Sequence, residues 1–438
     1  MISLARKLRT VDYFTLAFGT MVGVGWLVVM DDWLQRGGPL GAMLAFAVAS
    51  LALAPIGYIY GQLVMAIPNA ASEIAYTQKV FPPGVSFATG WMMTLVYLIV
   101  CPWEAIAMGK IAAYLFPSLN SFALYHVAGQ PVYLPRLVLG LALIGLVTWL
   151  NYQGIRLSAN FQNWMTFVLL GLFLLFGTFC LQRGSAHNFF PLFSHGSLIS
   201  ILLVLQIVPY FMTGFEAVPK CAEEASPEFR TRGYFRAIML ALATGALFYV
   251  AVIGMVAFVQ PWPSLIHESF ATAVAFGRAF HSRLLISLVF AAALASLLKV
   301  CNGNFLASSR LLFALGREGF VNPRIGRLHP VKLTPSIAVF CVGTLSVVGA
   351  LLGEAILIPI TEVGSLACAV GWLATCASYW RLENNWRRRS IAFLALAVCA
   401  ALILMKLLPS IPGHFTLYEY VALAAWIAIG LAARRRIS

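Results

Sequence analysis

Charged residues are scarce in this chain. Asp, Glu, Lys and Arg make up 10% of its 438 residues, whereas 61% are hydrophobic. A water-soluble fold with this composition would expose a largely apolar surface and aggregate, so a soluble globular protein is excluded. The polar stretches are also short, and none is long enough to form a hydrophilic domain. Any function must therefore reside in a membrane-embedded bundle or in its connecting loops.

Metal-binding and cofactor-binding patterns are missing as well. Most of the 8 cysteines lie inside apolar runs without metal-ligand spacing, and the 7 histidines are scattered. The sequence has no GxxxxGK[ST] phosphate loop, no HExxH zinc motif and no acidic cluster at metal spacing. We therefore predict no metal, no cofactor and no enzymatic activity, with a polytopic membrane enzyme as a less favoured alternative. Repeated selectivity-filter sequences are also missing, which argues against a channel.

What the chain has instead is a series of long apolar runs. Runs of about 20 apolar residues, each long enough to cross a bilayer, recur along the whole sequence. They are too long and too uniformly apolar for barrel strands, so they predict helices. The first run lacks a small-residue cleavage site, so we expect it to be retained rather than removed as a signal peptide. About twelve spans are predicted, near residues 13–34, 40–66, 85–116, 136–152, 161–182, 198–219, 236–259, 284–313, 335–353, 359–380, 391–408 and 416–433.

The net charge of +14 is distributed unevenly. If the N-terminus lies inside, most Lys and Arg residues fall in inner loops, which is the positive-inside pattern. This pattern predicts a multi-pass protein of the cell (inner or cytoplasmic) membrane with both termini in the cytoplasm, and no nucleic-acid partner. Lys110 and Lys299 fall inside spans. The outer side keeps only Arg36, Arg136, Arg183, Arg278, Arg283 and Lys406.

Two glycine-containing segments interrupt apolar spans. Residues 19–25 (GTMVGVG) lie in the first span and residues 212–216 (MTGFE) in the sixth. Glycine lets the backbone leave the helix, and lipid cannot satisfy the freed N–H and C=O groups. Two interrupted helices at corresponding positions of two halves indicate the central binding site of a transporter. Close helix packing at the glycines is the alternative explanation.

The two interruptions divide the chain into two similar halves. Residues 13–182 are predicted to form one five-helix repeat and residues 198–381 a second. With an odd number of helices in each repeat, the second must insert upside down relative to the first. Residues 389–433 then form two additional helices, and residues 1–438 form a single transmembrane transporter domain.

Four regions of the sequence carry a family resemblance. They are residues 19–25, residues 68–76 (PNAASEIAY), residues 211–216 (FMTGFE) with the exit at 222–227 (AEEASP), and residues 302–319 in the eighth span. Together they resemble the amino acid–polyamine–organocation superfamily of secondary transporters. The resemblance implies an all-α integral membrane protein with about 12 transmembrane helices and a LeuT-type fold. That fold has a 5+5 inverted repeat with broken helices 1 and 6, plus two C-terminal helices.

The resemblance also implies a substrate site at the two breaks. Freed amides near Val24 and Gly25 would hold the carboxylate of an amino acid, assisted by the helix dipole. Freed carbonyls near Thr20, Met21 and residues 211–213 would hold its ammonium group. The predicted substrate-binding residues are Thr20, Met21, Gly23, Val24, Gly25, Phe211, Thr213, Gly214 and Phe215.

Three ionisable residues inside spans are predicted to serve coupling. In the resembled family the position of Glu216 is tied to proton coupling or gating, with a structural hydrogen bond to the unwound backbone as the alternative. The fifth span lacks the family's lysine, where Leu169 stands, and the eighth span offers Lys299 in place of sodium-site hydroxyls. We predict that the Lys299 ammonium bonds the carbonyls of residues 20–23, or pairs with Glu104, and replaces a sodium ion. Snorkelling of this lysine is the alternative.

A few further residues are candidates for lining the access paths. Asp31 and Asp32, in the outer half of the first span, either line an outer vestibule or are simply exposed at a helix end. Glu362 is expected to face a vestibule. The predicted gates, for which plain packing is the alternative, are Trp26, Phe215 and Phe305.

These features predict a secondary active transporter, or permease, of an amino acid that works by alternating access. It is expected to be sodium-independent and either proton-coupled or exchanging. An amine or polyamine exchanger of the same fold is the alternative, supported by the acids in the first, third, sixth and tenth spans. The expected partners are a small-molecule substrate and the lipid bilayer, and the oligomeric state is left open.

Overall fold

The computed structural model describes residues 4–435, except for the side chains of residues 356–358 and 360. Within this range the structure is a helical bundle with a two-stranded antiparallel ribbon, β1 (Ala123–Val127) and β2 (Gln130–Tyr133). The predicted all-α fold is thereby confirmed. The helices are α1 (Thr10–Met21), α2 (Gly25–Val28), α3 (Met30–Ala66), α4 (Glu73–Gln78), α5 (Pro83–Leu98), α6 (Val100–Leu115), α7 (Leu134–Gln153), α8 (Ile155–Arg183), α9 (Ser197–Leu205), α10 (Val208–Met212), α11 (Ala217–Lys220), α12 (Arg232–Val259), α13 (Ala271–Phe280), α14 (Arg283–Arg317), α15 (Ser336–Ala350), α16 (Leu357–Leu382), α17 (Trp386–Leu407) and α18 (Leu417–Ala433).

The helices follow the predicted spans closely. Among the described residues, 9 helices are long and apolar enough to cross a membrane. The shorter apolar helices α15 and α18 and the interrupted run α9–α11 occupy the remaining predicted spans. One difference is α13, which forms in a stretch predicted as a polar loop. Another is that α3 runs from the end of the first span through the second, with a bend at Gly38 (φ +62°) just before Pro39.

The first and sixth spans are both interrupted by non-helical residues. The non-helical residues are 22–24 between α1 and α2, and 213–216 between α10 and α11. Gly214 has φ +130°, and a Cβ there would lie 2.5 Å from the backbone nitrogen of Met21. A side chain at this position would therefore collide with the first span, so glycine is what lets the two breaks touch.

The interrupted spans occupy the centre of the bundle. The first span is 89% buried inside the protein, whereas the share for α8 and for α17 is 22%. α1 packs on α8, α12 and α14, and α10 packs on α16. Large apolar side chains such as Leu51, Trp164 and Leu181 are exposed on the outside of the bundle. This surface is suited to lipid, because apolar side chains face the bilayer without penalty.

Lys220 and Arg310, which the charge count assigned to the inner loops, are buried instead. Lys220 Nζ lies 2.6 Å from Glu73 Oε1, and Arg310 Nη2 lies 2.7 Å from Glu224 Oε1. The side chains of Lys220 and Arg310 are both 0% exposed. Lys220 belongs to α11 and Arg310 to α14. The prediction was wrong because charge counting along a sequence does not register an acidic partner that lies far away in the chain.

Candidate functional site

A small closed cavity lies where the two breaks meet. Its free volume is about 20 Å³, which is enough for a single water molecule. All of its lining residues are buried, so the cavity is closed toward both faces of the bundle. They come from the first break, α6, α10 with the sixth-span break, and α14. The lining residues are Thr20, Met21, Gly23, Gly25, Val100, Trp103, Glu104, Tyr210, Phe211, Thr213 and Val300.

The cavity collects most, but not all, of the predicted substrate-binding residues. Val24 does not line it, and its backbone N–H points to the carboxylate of Glu104. Gly214 lies against the backbone of the first span. Phe215 points away and stacks on Trp372, with ring centroids 5.8 Å apart. The predicted residues that line the cavity are Thr20, Met21, Gly23, Gly25, Phe211 and Thr213.

The three predicted gates lie outside the cavity lining. Trp26 is edge-on to Phe248, with centroids 6.3 Å apart, and Phe305 is buried within α14. Together with Phe211, the aromatic residues that line the cavity are Trp103 and Tyr210. These two were missed because the direction of a side chain next to an unwound segment cannot be read from sequence spacing.

The carbonyl groups freed by the first break are occupied by side chains of the same chain. Each carbonyl of residues 19–23 accepts at least one side-chain hydrogen bond. Three donors, Ser296, Lys299 and Asn304, stand on one side of α14, and the fourth, Tyr249, comes from α12. Unsatisfied backbone groups in a membrane cost several kcal/mol each, so this ring of donors stabilises the unwound segment.

Lys299 is the cation of this ring. Its ammonium lies 3.3 Å from the carbonyl oxygen of Gly19 and also donates to that of Val22. The Phe18 ring is 5.3 Å from Nζ. Of the two partners predicted for Lys299, the structure places the carbonyls in contact. Glu104 faces the ammonium without forming an ion pair in the described part of the chain.

Glu216 lies within the sixth-span break. Its Oε2 accepts a hydrogen bond from the backbone N–H of Gly214 at 2.9 Å. Its Oε1 accepts from the Thr213 hydroxyl and from Trp372 Nε1, the latter at 3.2 Å. These contacts match the alternative given for Glu216, a structural hydrogen bond between its carboxylate and the unwound backbone.

Glu104 is the acid that reaches the cavity itself. It is 2% exposed, and a Cβ added at Gly23 would lie 2.7 Å from its Oε1. Within the described residues, Glu104 Oε2 and the hydroxyl of Tyr210 have no hydrogen-bond partner. The cavity therefore contains two buried polar groups whose hydrogen-bonding capacity is unused.

The family follows from a comparison with known proteins. A family model described as amino acid permease matches residues 8–432, nearly the whole chain. This chain belongs to the amino acid permease family. The resemblance read from the sequence is confirmed, and the protein is a multi-pass membrane transporter of small molecules.

Several curated proteins of Bacillus subtilis (strain 168) are similar to this permease. The amino-acid permease RocE is 23% identical over 398 residues, which cover 88% of this chain and 82% of RocE. The branched-chain amino acid permease BcaP is 24% identical over 422 residues, which cover 94% of this chain and 84% of BcaP. A methylthioribose transporter is 22% identical over 438 residues, which cover 98% of this chain and 92% of the transporter.

In this permease two of the predicted vestibule acids, Asp32 and Glu362, lie in one ion-pair network at the face opposite the chain termini. Arg36 Nε lies 2.9 Å from Asp32 Oδ2, and Arg36 Nη1 lies 3.7 Å from Glu362 Oε1. Lys406 forms an ion pair with the same Glu362. Asp31, in contrast, is half-buried beside this network. These ion pairs of alternating charge connect α3, α16 and α17 on that face.

Proposed function

We propose that this permease is a secondary active transporter that moves an amino acid by alternating access. The observation that carries this proposal is the closed cavity at the contact of two broken spans. Amides near Val24 and Gly25 are the proposed carboxylate site, and carbonyls of residues 211–213 contribute to the ammonium site. A closed, buried site between two half-helices suits a carrier that occludes its substrate.

The proposed architecture is an inverted repeat of residues 13–182 and 198–381, with residues 389–433 as two additional helices. The packing of the bundle supports it. In the first half, α1 of the first span packs on α8 of the fifth span. In the second half, α10 of the sixth span packs on α16 of the tenth span, which is the corresponding contact. The second helices of the two halves, α3 and α12, pack along each other.

The proposed cycle is sodium-independent and either proton-coupled or exchanging. Lys299 holds its ammonium against first-span carbonyls, where it can stand in place of a sodium ion. Glu216 is the proposed proton-linked group of the sixth-span break. The proposed location is the plasma membrane, with both termini in the cytoplasm. Transport, rather than catalysis of a reaction, is the proposed activity.

An amine or polyamine exchanger of the same fold is the second candidate. The presence of Glu104 in the cavity favours it, because a fixed carboxylate attracts a cationic substrate. The two candidates share the fold, the cavity and alternating access. They differ in whether the substrate must bring a carboxylate.

Uptake into proteoliposomes tests the proposal. Purified protein is supplied with a labelled panel of amino acids and with putrescine-like amines, at two pH values, with and without sodium. We expect accumulation of at least one amino acid, unchanged when sodium is replaced by potassium. Accumulation of amines alone favours the second candidate, and strict dependence on sodium contradicts the proposed coupling.

A further inference from the structure

The ammonium site expected at the first break is already filled by the protein. All five carbonyls of residues 19–23 accept hydrogen bonds from α12 and α14 side chains. Carbonyl oxygens can accept a second bond. However, the Lys299 ammonium is fixed at two of these carbonyls, and a substrate ammonium placed there would be repelled by a like charge. The cationic end of a substrate therefore needs an acceptor outside the first break.

The cavity offers one such acceptor. Glu104 lines it and is 2% exposed, and its Oε2 is buried without a partner among the described residues. The charged group that faces it, Lys299, already donates to Gly19 and Val22. A buried carboxylate oxygen without a hydrogen bond is costly, so a donor that enters the cavity gains a charge-assisted bond there.

A second unused group lies on the same cavity. The hydroxyl of Tyr210 on α10 is also buried and without a partner in residues 4–435. A primary ammonium has three N–H donors, so it can donate to Glu104 Oε2 and to the Tyr210 oxygen together. The aromatic walls, Trp103 and Phe211, would surround the apolar part of the same molecule.

We propose that Glu104 is the residue that binds the protonated amine of the substrate. This inference rests on the proposed function and adds to it a requirement on the substrate. An ammonium group is therefore essential for binding.

Two matched sets of probes test the proposal. The first set is leucine, isoamylamine and N-acetylleucine, and the second is arginine, agmatine and Nα-acetylarginine. Each set contains an amino acid, the amine without the carboxylate, and a derivative whose α-ammonium is neutralised. Binding is measured by thermal-shift titration and by competition with uptake into proteoliposomes. In the wild type we expect the amino acid and the amine of at least one set to bind, and the acetylated compound to bind at least about 100-fold more weakly.

The variants separate a binding role from a structural one. Glu104→Gln keeps the size of the side chain and removes its charge, and Glu104→Asp keeps the charge if Gln fails to fold. In Glu104→Gln we expect the preference for the amine over its acetylated counterpart to fall by at least about tenfold. Glu104→Asp should retain part of that preference. Glu268→Gln, a loop carboxylate outside the cavity, is the matched control and should behave as the wild type.

The outcomes distinguish this inference from the proposed function. If the wild type takes up an amino acid and Glu104→Gln discriminates against acetylation as strongly as the wild type, Glu104 does not bind the amine, while the transport function stands. If the wild type binds the acetylated compounds as tightly as the free amines, Glu104 likewise does not bind the amine, while the transport function stands. A wild-type protein that takes up no member of the amino acid and amine panel contradicts both proposals.

Discussion

Gly25 is the cavity residue at which a single added side chain has a well-defined neighbour. A Cβ there would lie 2.5 Å from Cε1 of the Phe211 ring. We expect Gly25→Val to lower substrate affinity at least tenfold, about 1.4 kcal/mol, because the ring and the first break would be pushed apart. Insertion into the membrane should be retained. Calorimetric titration of the purified variant with its transported amino acid measures the change.

Gly145→Val on α7 is the control for this substitution. A Cβ at Gly145 has open space around it, with nothing within 4 Å. The control should bind as the wild type does. Equal affinity in the Gly25 variant would remove the first break from the binding site.

Glu216 is the residue at which hydrogen bonding and proton coupling can be separated. Glu216→Gln retains a carbonyl oxygen that accepts from the Gly214 N–H. We expect the variant to fold and to transport with a flattened pH dependence, because the side chain no longer binds a proton. Uptake measured from pH 5 to pH 8 checks this, with Glu354→Gln at the bundle surface as the control. A pH profile equal to that of the wild type would leave Glu216 a purely structural role.

At the scale of elements, α14 supplies three of the four side-chain donors to the first break. Lys299→Ala would leave the buried carbonyl of Gly19 without its side-chain donor, whereas the carbonyl of Val22 keeps the Ser296 hydroxyl at 3.1 Å. We expect uptake to fall at least about tenfold, since unsatisfied buried carbonyls cost roughly 1–3 kcal/mol. Lys110→Ala is the matched control, because that lysine is also in a span but lies 5.9 Å from the Phe270 ring and outside the cavity. Similar losses in both variants would contradict a special role for Lys299.

The elements were largely predictable from the sequence, and the reason is physical. An apolar run of membrane length must satisfy its backbone hydrogen bonds internally, so it forms an α-helix. The predicted span 236–259 and the observed helix Arg232–Val259 therefore differ only at one end. Both breaks could be predicted from the glycine segments, because a membrane helix is interrupted only where the freed backbone groups are buried in protein. The ribbon and α13 were missed, because short polar segments outside the membrane carry no such constraint.

The composition of the site was less predictable than its position. Ser296 and Asn304 donate to first-span carbonyls, yet the sequence pattern called attention only to Lys299 between them. Tyr249 was missed too, although its hydroxyl lies 3.2 Å from the Met21 oxygen. Which side chains reach an unwound segment depends on the rotation of neighbouring helices, and the spacing of apolar residues specifies that rotation only coarsely.

At the scale of the whole molecule, a buried ion pair closes the face that carries the chain termini. Lys220 and Glu73 are both 0% exposed, and the hydroxyl of Tyr60 donates to Glu73 at 2.9 Å. Breaking a buried pair on one side leaves an uncompensated charge, so we expect Lys220→Met to destabilise the protein by about 3–5 kcal/mol. The double variant Lys220→Met with Glu73→Gln should recover much of that loss. Thermal unfolding in detergent measures both.

The exposed pair Arg278–Glu268 provides the reference for this comparison. Its partners are 45% and 36% exposed, so Arg278→Met should cost no more than about 1 kcal/mol. A double variant as unstable as Lys220→Met alone would show that the pair does not act as a unit.

The same face contains a pH-sensitive contact outside the membrane. Burial alone would raise the pKa of Glu223, but hydrogen bonds from Arg317 and the Ala70 N–H lower that pKa overall. A lowered folded-state pKa stabilises the protein above the unfolded value of about 4.3, and this contribution is lost as the pH falls through the folded-state pKa. We expect Glu223→Gln to lower the melting temperature at pH 7 and to lower it less at pH 3. An equal difference at both pH values would contradict the assignment.

The lysine at the first break has a consequence for energetics across the membrane. A bound sodium ion enters from one side and leaves on the other, so its gradient performs work in every cycle. The Lys299 ammonium is covalently attached and returns with the protein, loaded or empty, so it transfers no net charge. The accumulation ratio that vesicles reach at static head should therefore be the same with and without an imposed sodium gradient. Protons, a counter-transported solute or, for a cationic substrate, the membrane potential would then drive the substrate uphill.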